Sequence, residues 1–413
     1  MRVVLGVFAF AQPGGTETYV ATVAHELRRL GHEPVVTAQE LGPIAELAQR
    51  RGIVVARDGS ELPSTCDAVF AQDAIMAGAL AERYPDTRLV AFAHSDLFDH
   101  QLPVLLPDVV SAVVVGSDRV AARIRALALE APVVRLRQPI DTETFVARGP
   151  IRPRPRRALI LSNYLRGDRR RALLEAWEGA GVECLQIGAP TGSELDVVPA
   201  IADADIVVAK GRAALEGMSC ARAVYVFDEF GGDGWVTPDN YAALEADNFA
   251  GQVGAGPRDL EVDLAGYSPE MGWRNRELIR RHHGARRHAA RLVDVLRGPA
   301  PRPPEVLTAA GEVSRLARTA WDAERRLLLL EAEAAKLRER ALAAEAEVEA
   351  ARVGAAVELE AARESAAAEV EAARGRVAEL EAHNAELRWL LDTRRARIGL
   401  AAGRVIDRLR GQR

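Results

Sequence analysis

Up to residue 298, short apolar blocks alternate with longer amphipathic stretches. Residues 3–10 form a continuous apolar run rich in β-branched side chains, the pattern of a strand buried on both faces. Residues 17–30 place Val20, Val23, Ala24 and Leu27 on one helical face, with Gly31 as a stop. A strand at 35–37 and a helix at 44–51 follow, then strand-like runs at 68–71, 89–92, 109–115 and 133–136. Pro153 and Pro155 interrupt, and the alternation restarts. Strands are predicted at 158–162, 184–187, 206–208 and 224–227, and helices at 173–179, 213–220 and 241–246. Repeated β-α-β order means a parallel sheet with helices on both faces. The pattern predicts two doubly wound α/β domains, 1–150 and 151–298, with a ligand cleft at the carboxyl ends of their strands.

Beyond 298 the period changes. Residues 299–304 (PAPRPP) read as a stiff linker. A heptad seam follows within 305–392: Leu327, Leu330, Ala334, Leu337, Ala341, Ala344, Val348, Ala351 and Ala355. Near Gly354 the frame slips, and it resumes with Ala356, Leu359, Arg363, Ala366, Val370, Ala373, Val377, Leu380, Asn384, Leu387 and Leu391. The seam predicts a coiled-coil stalk of roughly 100 Å that makes a parallel homodimer, with Asn384 as its register device. A single solvated helix is the alternative.

Composition sharpens the boundary: 18 of the 20 aromatic residues precede residue 300, and Pro304 is the last proline. With 48% hydrophobic and 27% charged residues, wholesale disorder is excluded. A net charge of −5 argues against nucleic acid as a partner of the whole chain. Cys66, Cys184 and Cys220 fit no disulfide or metal spacing, so a reducing, cytoplasmic setting and no bound metal are expected. No apolar run is long enough to span a membrane, and the start enters a strand-like run without a cleavage pattern. The segment 393–413 is a local exception. It holds seven arginines against Asp407, a charge of +6, with Val405, Ile406 and Leu409 on one helical face. It reads as a basic amphipathic tail for peripheral contact with an anionic membrane, or as a solvated end balancing the acidic stalk.

Four segments carry candidate chemistry. Gly14-Gly15-Thr16-Glu17 joins the first strand to the first helix, either as a tight turn or as a backbone cradle for an anion. Lys210-Gly211-Arg212 opens the helix that contains Glu216. Lys210 and Arg212 stand where a diphosphate would meet a helix N-terminus, and Glu216 is suited to a ribose diol. The plain alternative is two surface cations and a solvated carboxylate. Gly231, Gly232 and Gly234 form a glycine cluster after a strand, read as a loop that brings backbone N–H groups to a ligand or as a surface turn. His94 follows a strand at its cleft end, where it either hydrogen-bonds a sugar and moves a proton, or is structural. His282, His283 and His288 sit on an Arg-rich helix without metal-ligand spacing.

Together these segments resemble the GT-B glycosyltransferases of the family-4-like retaining group, over roughly residues 1–298. Gly14-Gly15-Thr16-Glu17 through Gly31-His32-Glu33-Pro34-Val35-Val36 is similar to that group's N-terminal signature. Val113-Val114-Val115-Gly116-Ser117 and Pro139-Ile140-Asp141…Phe145 resemble a later strand and the interdomain approach. Ala204-Asp205-Ile206…Leu215-Glu216-Gly217-Met218-Ser219-Cys220…Ala223-Val224 resembles the donor-binding segment. The resemblance implies two Rossmann-like domains, the first for the acceptor and the second for a nucleotide-sugar donor. It implies Glu216 on the donor ribose, Gly15 and Gly231-Gly232 near the diphosphate and sugar, and His94 on the sugar. Two positions depart from it. Val208 stands where the group's Glu-x7-Glu pair has its first Glu, and Gln138-Pro139 replaces Asn-Gly.

The expected function is transfer of a sugar from a nucleotide-diphosphate sugar to a glycan or lipid-linked acceptor, in bacterial cell-surface polysaccharide synthesis. Lys210 and Arg212 are the candidates for stabilising the leaving diphosphate. A nucleotide-sugar 2-epimerase and a non-catalytic binding module on a coiled-coil scaffold are the alternatives.

Overall fold

The computed structural model describes residues 1–57, 61–95, 101–127, 129–149, 151–188, 191–192, 194–254, 256–298, 300, 302–354 and 358–410. They form two compact units, Met1–Gly311 and Glu312–Arg413.

The first half of unit one holds β1 (Arg2–Gly6), β2 (Ala9–Phe10), β3 (Glu33–Thr37), β4 (Glu40–Leu41), β5 (Val54–Ala56), β6 (Ala68–Ala71), β7 (Leu89–Ala93), β8 (Ala112–Val115) and β9 (Val133–Arg135). Its helices are α1 (Gly15–Arg29), α2 (Pro43–Arg50), α3 (Ala74–Arg83) and α4 (Asp118–Ala126). Seven strands pair in the order β5-β3-β1-β6-β7-β8-β9, all parallel. Val3, Val4 and Leu5 of β1 are fully buried, as an unbroken apolar run in a parallel sheet must be. The run predicted at 3–10 divides in two because its middle leaves the ladder. Phe8 N donates to Asp73 Oδ2 (2.7 Å), and β2 pairs with β4 as a small separate ribbon.

The second half holds β10 (Arg157–Leu161), β11 (Glu183–Ile187), β12 (Ile206–Ala209), β13 (Ala223–Asp228) and β14 (Gly231–Trp235). Between and after them come α5 (Gly167–Gly179), α6 (Val198–Asp203), α7 (Gly211–Ser219), α8 (Tyr241–Ala246), α9 (Leu260–Ala265), α10 (Glu270–His282) and α11 (Ala285–Leu296). The sheet order is β11-β10-β12-β13-β14, parallel except for β14. The glycine cluster expected to be a ligand loop is therefore an antiparallel edge strand.

The chain crosses between the halves twice, and the crossings bond to each other. Ile140 N donates to His283 O (2.7 Å), and Ala285 N donates to Ile140 O (3.3 Å). After the return, Ala289, Leu292, Val293 and Leu296 of α11 pack into the core of the first half. Buried Arg302 holds the Pro-rich segment to the same half, donating to Val109 O (Nε, 2.8 Å) and Thr87 O (Nη1, 2.8 Å).

Past Gly311 the chain is helical: α12 (Pro304–Gly354) continues into unit two, and α13 (Glu358–Arg410) follows. Ion pairs join Glu331 to Arg388, Arg338 to Glu381, and Arg340 to Glu369 (3.4 Å), so the two helices run antiparallel. Seam residues Ala334, Leu337, Ala341 and Ala344 of α12 are buried, as are Val370, Ala373 and Leu391 of α13. At these described positions the seam packs within one chain, as two antiparallel helices in place of the expected continuous stalk. The side chains expected to form the amphipathic face, Val405, Ile406 and Leu409, lie outside the described residues, although the backbone is helical to Arg410.

Candidate functional site

Strand order reverses between β1 and β6 in the first sheet and between β10 and β12 in the second. At such switch points neighbouring loops diverge and leave a crevice beyond the strand ends. A cleft of about 480 Å³ occupies this position between the halves. Gly14, Gly15, Thr18 and Thr22 of the first half line it, and Ser162, Asn163, Arg212, Ala213 and Glu216 of the second half face them. Arg50 and Arg51, at the end of α2, stand on its wall.

Gly14 is the N-cap of α1 and offers no side chain to its first turn, where the Glu17 carboxyl folds back and accepts from its own backbone N–H. A Cβ at Gly14 would collide with the Glu17 carboxylate, which folds back over it, whereas one at Gly15 would meet nothing within 4 Å. Burial pushes Glu17 up to about 7, and the nearby Asp73 adds to the rise. The sequence hid this environment, because Asp73 reaches the site from the end of a different strand.

Lys210 caps α7 and also leaves its first turn without a side-chain acceptor. Its Nζ pairs with buried Asp228 (3.2 Å) and sits between the rings of Tyr164 and Phe230, 4.5 and 4.4 Å from their centres. Arg212 turns inward. Nε donates to Glu216 Oε1 (3.0 Å), Nη1 to Pro139 O (2.7 Å) and Nη2 to Thr22 Oγ1 (3.0 Å). The two cations expected to face a diphosphate are thus both held by the protein. Lys210 is an aromatic-caged ion pair outside the cleft lining, and Arg212 is a buried cross-link between the halves. Glu216 lines the cleft with one oxygen already accepting from Arg212, and burial pushes its carboxyl upward against the opposing effect of that guanidinium.

His94 packs against Tyr19 and Phe92 and shares a 2.9 Å hydrogen bond with Gln72 Oε1. Burial, helped by Arg212, pushes it down to about 3. It is neutral near pH 7, where so low a basicity makes it a weak proton acceptor, and it is not among the residues lining the cleft. Gly231 and Gly232 do not line it either: a Cβ on Gly231 would strike the Gly251 carbonyl, so its glycine serves packing. Gly211 opens α7 beside the cleft lining. Val208, at the position of the missing first Glu, is buried inside β12. Among the described residues no group of His, Cys, Asp or Glu could hold a metal ion.

No protein-family model matches the chain, and no curated protein matches it in sequence. Solved structures do. HepE of Anabaena, crystallised with UDP-glucose, aligns with a TM-score of 0.51 at 14% identity, over 72% of this chain and 100% of that one. Its complex with UDP and glucose aligns at 0.50 and 13% identity, over 72% and 99%. The fold is GT-B. In GT-B terms the cleft lies between the two Rossmann-like halves, with α1 presented by the first and α7 by the second. The helical hairpin is an addition that follows the GT-B unit.

Proposed function

We propose that the protein is a glycosyltransferase that moves a sugar from a nucleotide-diphosphate sugar to a glycan or lipid-linked acceptor. The observation that carries this reading is the pair of helices, α1 and α7, that open on one cleft without side-chain caps. Each N-terminus carries about half a positive charge, and a diphosphate placed between them displaces the Glu17 carboxyl from the α1 start. Gly15 leaves room for the phosphates, and Glu216 uses its remaining oxygen for the ribose. The likeness to a protein solved with UDP-glucose makes uridine diphosphate sugars the first donors to test. Charge growing on the leaving diphosphate is met by fixed N–H dipoles, with Arg212 in the cleft lining and with Arg51 and Arg50, the latter paired with Glu46 (3.8 Å), on the wall. The donor is held without a metal, and the acceptor enters from the first half.

The test is release of free nucleoside diphosphate from a panel of donors, with and without glycan or lipid-linked acceptors. Acceptor-dependent release supports transfer. A change of sugar configuration without transfer supports an epimerase, and binding without any product supports a non-catalytic module.

A further inference from the structure

A second cavity, of about 350 Å³, lies at the two chain crossings and shares no residue with the cleft. Five arginines reach it: Arg135 from the end of β9, Arg137 from the first crossing, Arg281 from the end of α10, and Arg287 and Arg291 from α11. His282 stands among them. The carboxylates nearby do not balance these charges. Arg135 pairs with Asp118 (3.0 Å) and Glu245 (2.6 Å), Arg137 shares Glu245 (3.3 Å), and Arg281 pairs with Glu277. Among the described residues Arg287 and Arg291 have no carboxylate partner, so the pocket keeps two uncompensated positive charges.

The neighbouring histidines add donors rather than charge. Arg137 Nη1 lies 3.2 Å from His282 Nδ1, a contact that makes Nδ1 the acceptor and leaves Nε2 carrying the proton. Burial and Arg137 push His282 below its usual range, as expected for an imidazole in a cationic pocket. His283 and His288 brace the wall, bonding to Gln138 O (2.7 Å) and Arg137 O (2.9 Å). Gly284, the N-cap of α11, supplies no side-chain cap, so that helix start adds its dipole.

We propose that this pocket is a binding site for a phosphoryl dianion, separate from the donor cleft. Two uncompensated charges in a concave site match a dianion, and the planar guanidinium fork fits phosphate oxygens in pairs. The group belongs to a small soluble molecule or to a lipid headgroup.

The test is calorimetric titration of the full chain with inorganic phosphate, alongside sedimentation with vesicles containing phosphatidic acid. Wild type is compared with Arg287→Gln/Arg291→Gln and with Arg50→Gln/Arg51→Gln in the cleft wall. Arg287 and Arg291 are exposed, so their replacement leaves the core intact. The expected result is saturable binding of phosphate, or of the vesicles, that falls at least tenfold in Arg287→Gln/Arg291→Gln and persists in Arg50→Gln/Arg51→Gln. The arm that responds identifies the source. No saturable binding in either arm, equal binding by the Arg287/Arg291 variant, or loss only in the Arg50/Arg51 variant overturns the proposal. Binding in the donor cleft is read apart as the part lost in Arg50→Gln/Arg51→Gln, so failure here and failure of the transferase reading are distinguishable.

Discussion

Arg212 and Glu216 form a buried ion pair whose remaining bonds reach Thr22 and Pro139 in the other half. Removing one partner strands the other charge, so Glu216→Ala should cost about 3–5 kcal/mol of stability in urea unfolding, while Arg212→Met/Glu216→Leu should recover most of it. Nucleoside diphosphate affinity should fall in any Glu216 variant that stays folded. Glu17 gives a pH signature. Its folded value, raised to about 7 against 4.5 unfolded, makes its contribution fully present below pH 4.5 and lost as pH rises through 7. Glu17→Gln should therefore stabilise the protein by about 3 kcal/mol at pH 8 and by little at pH 4.5, which thermal unfolding at the two values checks. At this scale the sequence was only partly legible. Motif position located Gly14, Gly15 and Glu216, but the partners that commit Lys210 and Arg212 come from distant segments. The pairing of Lys210 with Asp228 requires adjacent strand ends that spacing alone does not reveal.

Among the elements, the strands beneath the cleft were the most legible, because parallel strands buried on both faces leave uninterrupted β-branched runs. β14 was not: a glycine-rich edge strand has no apolar alternation, and its identity depends on pairing with β13. The helical seam was legible as a period but not as a partner, since a heptad pattern fits a second chain and a folded-back helix equally well. The hairpin makes Leu337 an internal contact. Leu337→Asp should remove helical circular dichroism and make residues 312–413 protease-sensitive without lowering the melting of unit one. Full-length protein should scatter light as a monomer if the hairpin satisfies the seam. Leu328, Leu329, Leu342 and Trp389 remain exposed on the helices, and a dimer formed through that apolar set would lose its association in Leu329→Glu/Leu342→Glu.

At the scale of the molecule, no described helix is long and apolar enough to cross a membrane, and the basic segment 393–413 is a candidate for peripheral bilayer contact. Arginine near an anionic surface contributes about 1 kcal/mol each. The full chain should sediment with liposomes of phosphatidylglycerol, less so in high salt, and a chain ending at Asp392 should sediment less. The central claim concerns the cleft, and Gly15 tests it most directly. A Cβ there meets no protein atom, so Gly15→Leu should fold with wild-type melting while filling the space assigned to the diphosphate. The measurement is thermal stabilisation by uridine, guanosine, adenosine, cytidine and thymidine diphosphates, in wild type and in Gly15→Leu. At about 100 times Kd a ligand should stabilise wild type by about 2.7 kcal/mol. The account predicts that at least one nucleotide does so and that Gly15→Leu abolishes the effect. Equal stabilisation of both proteins, or none of wild type by any of the five, would contradict it.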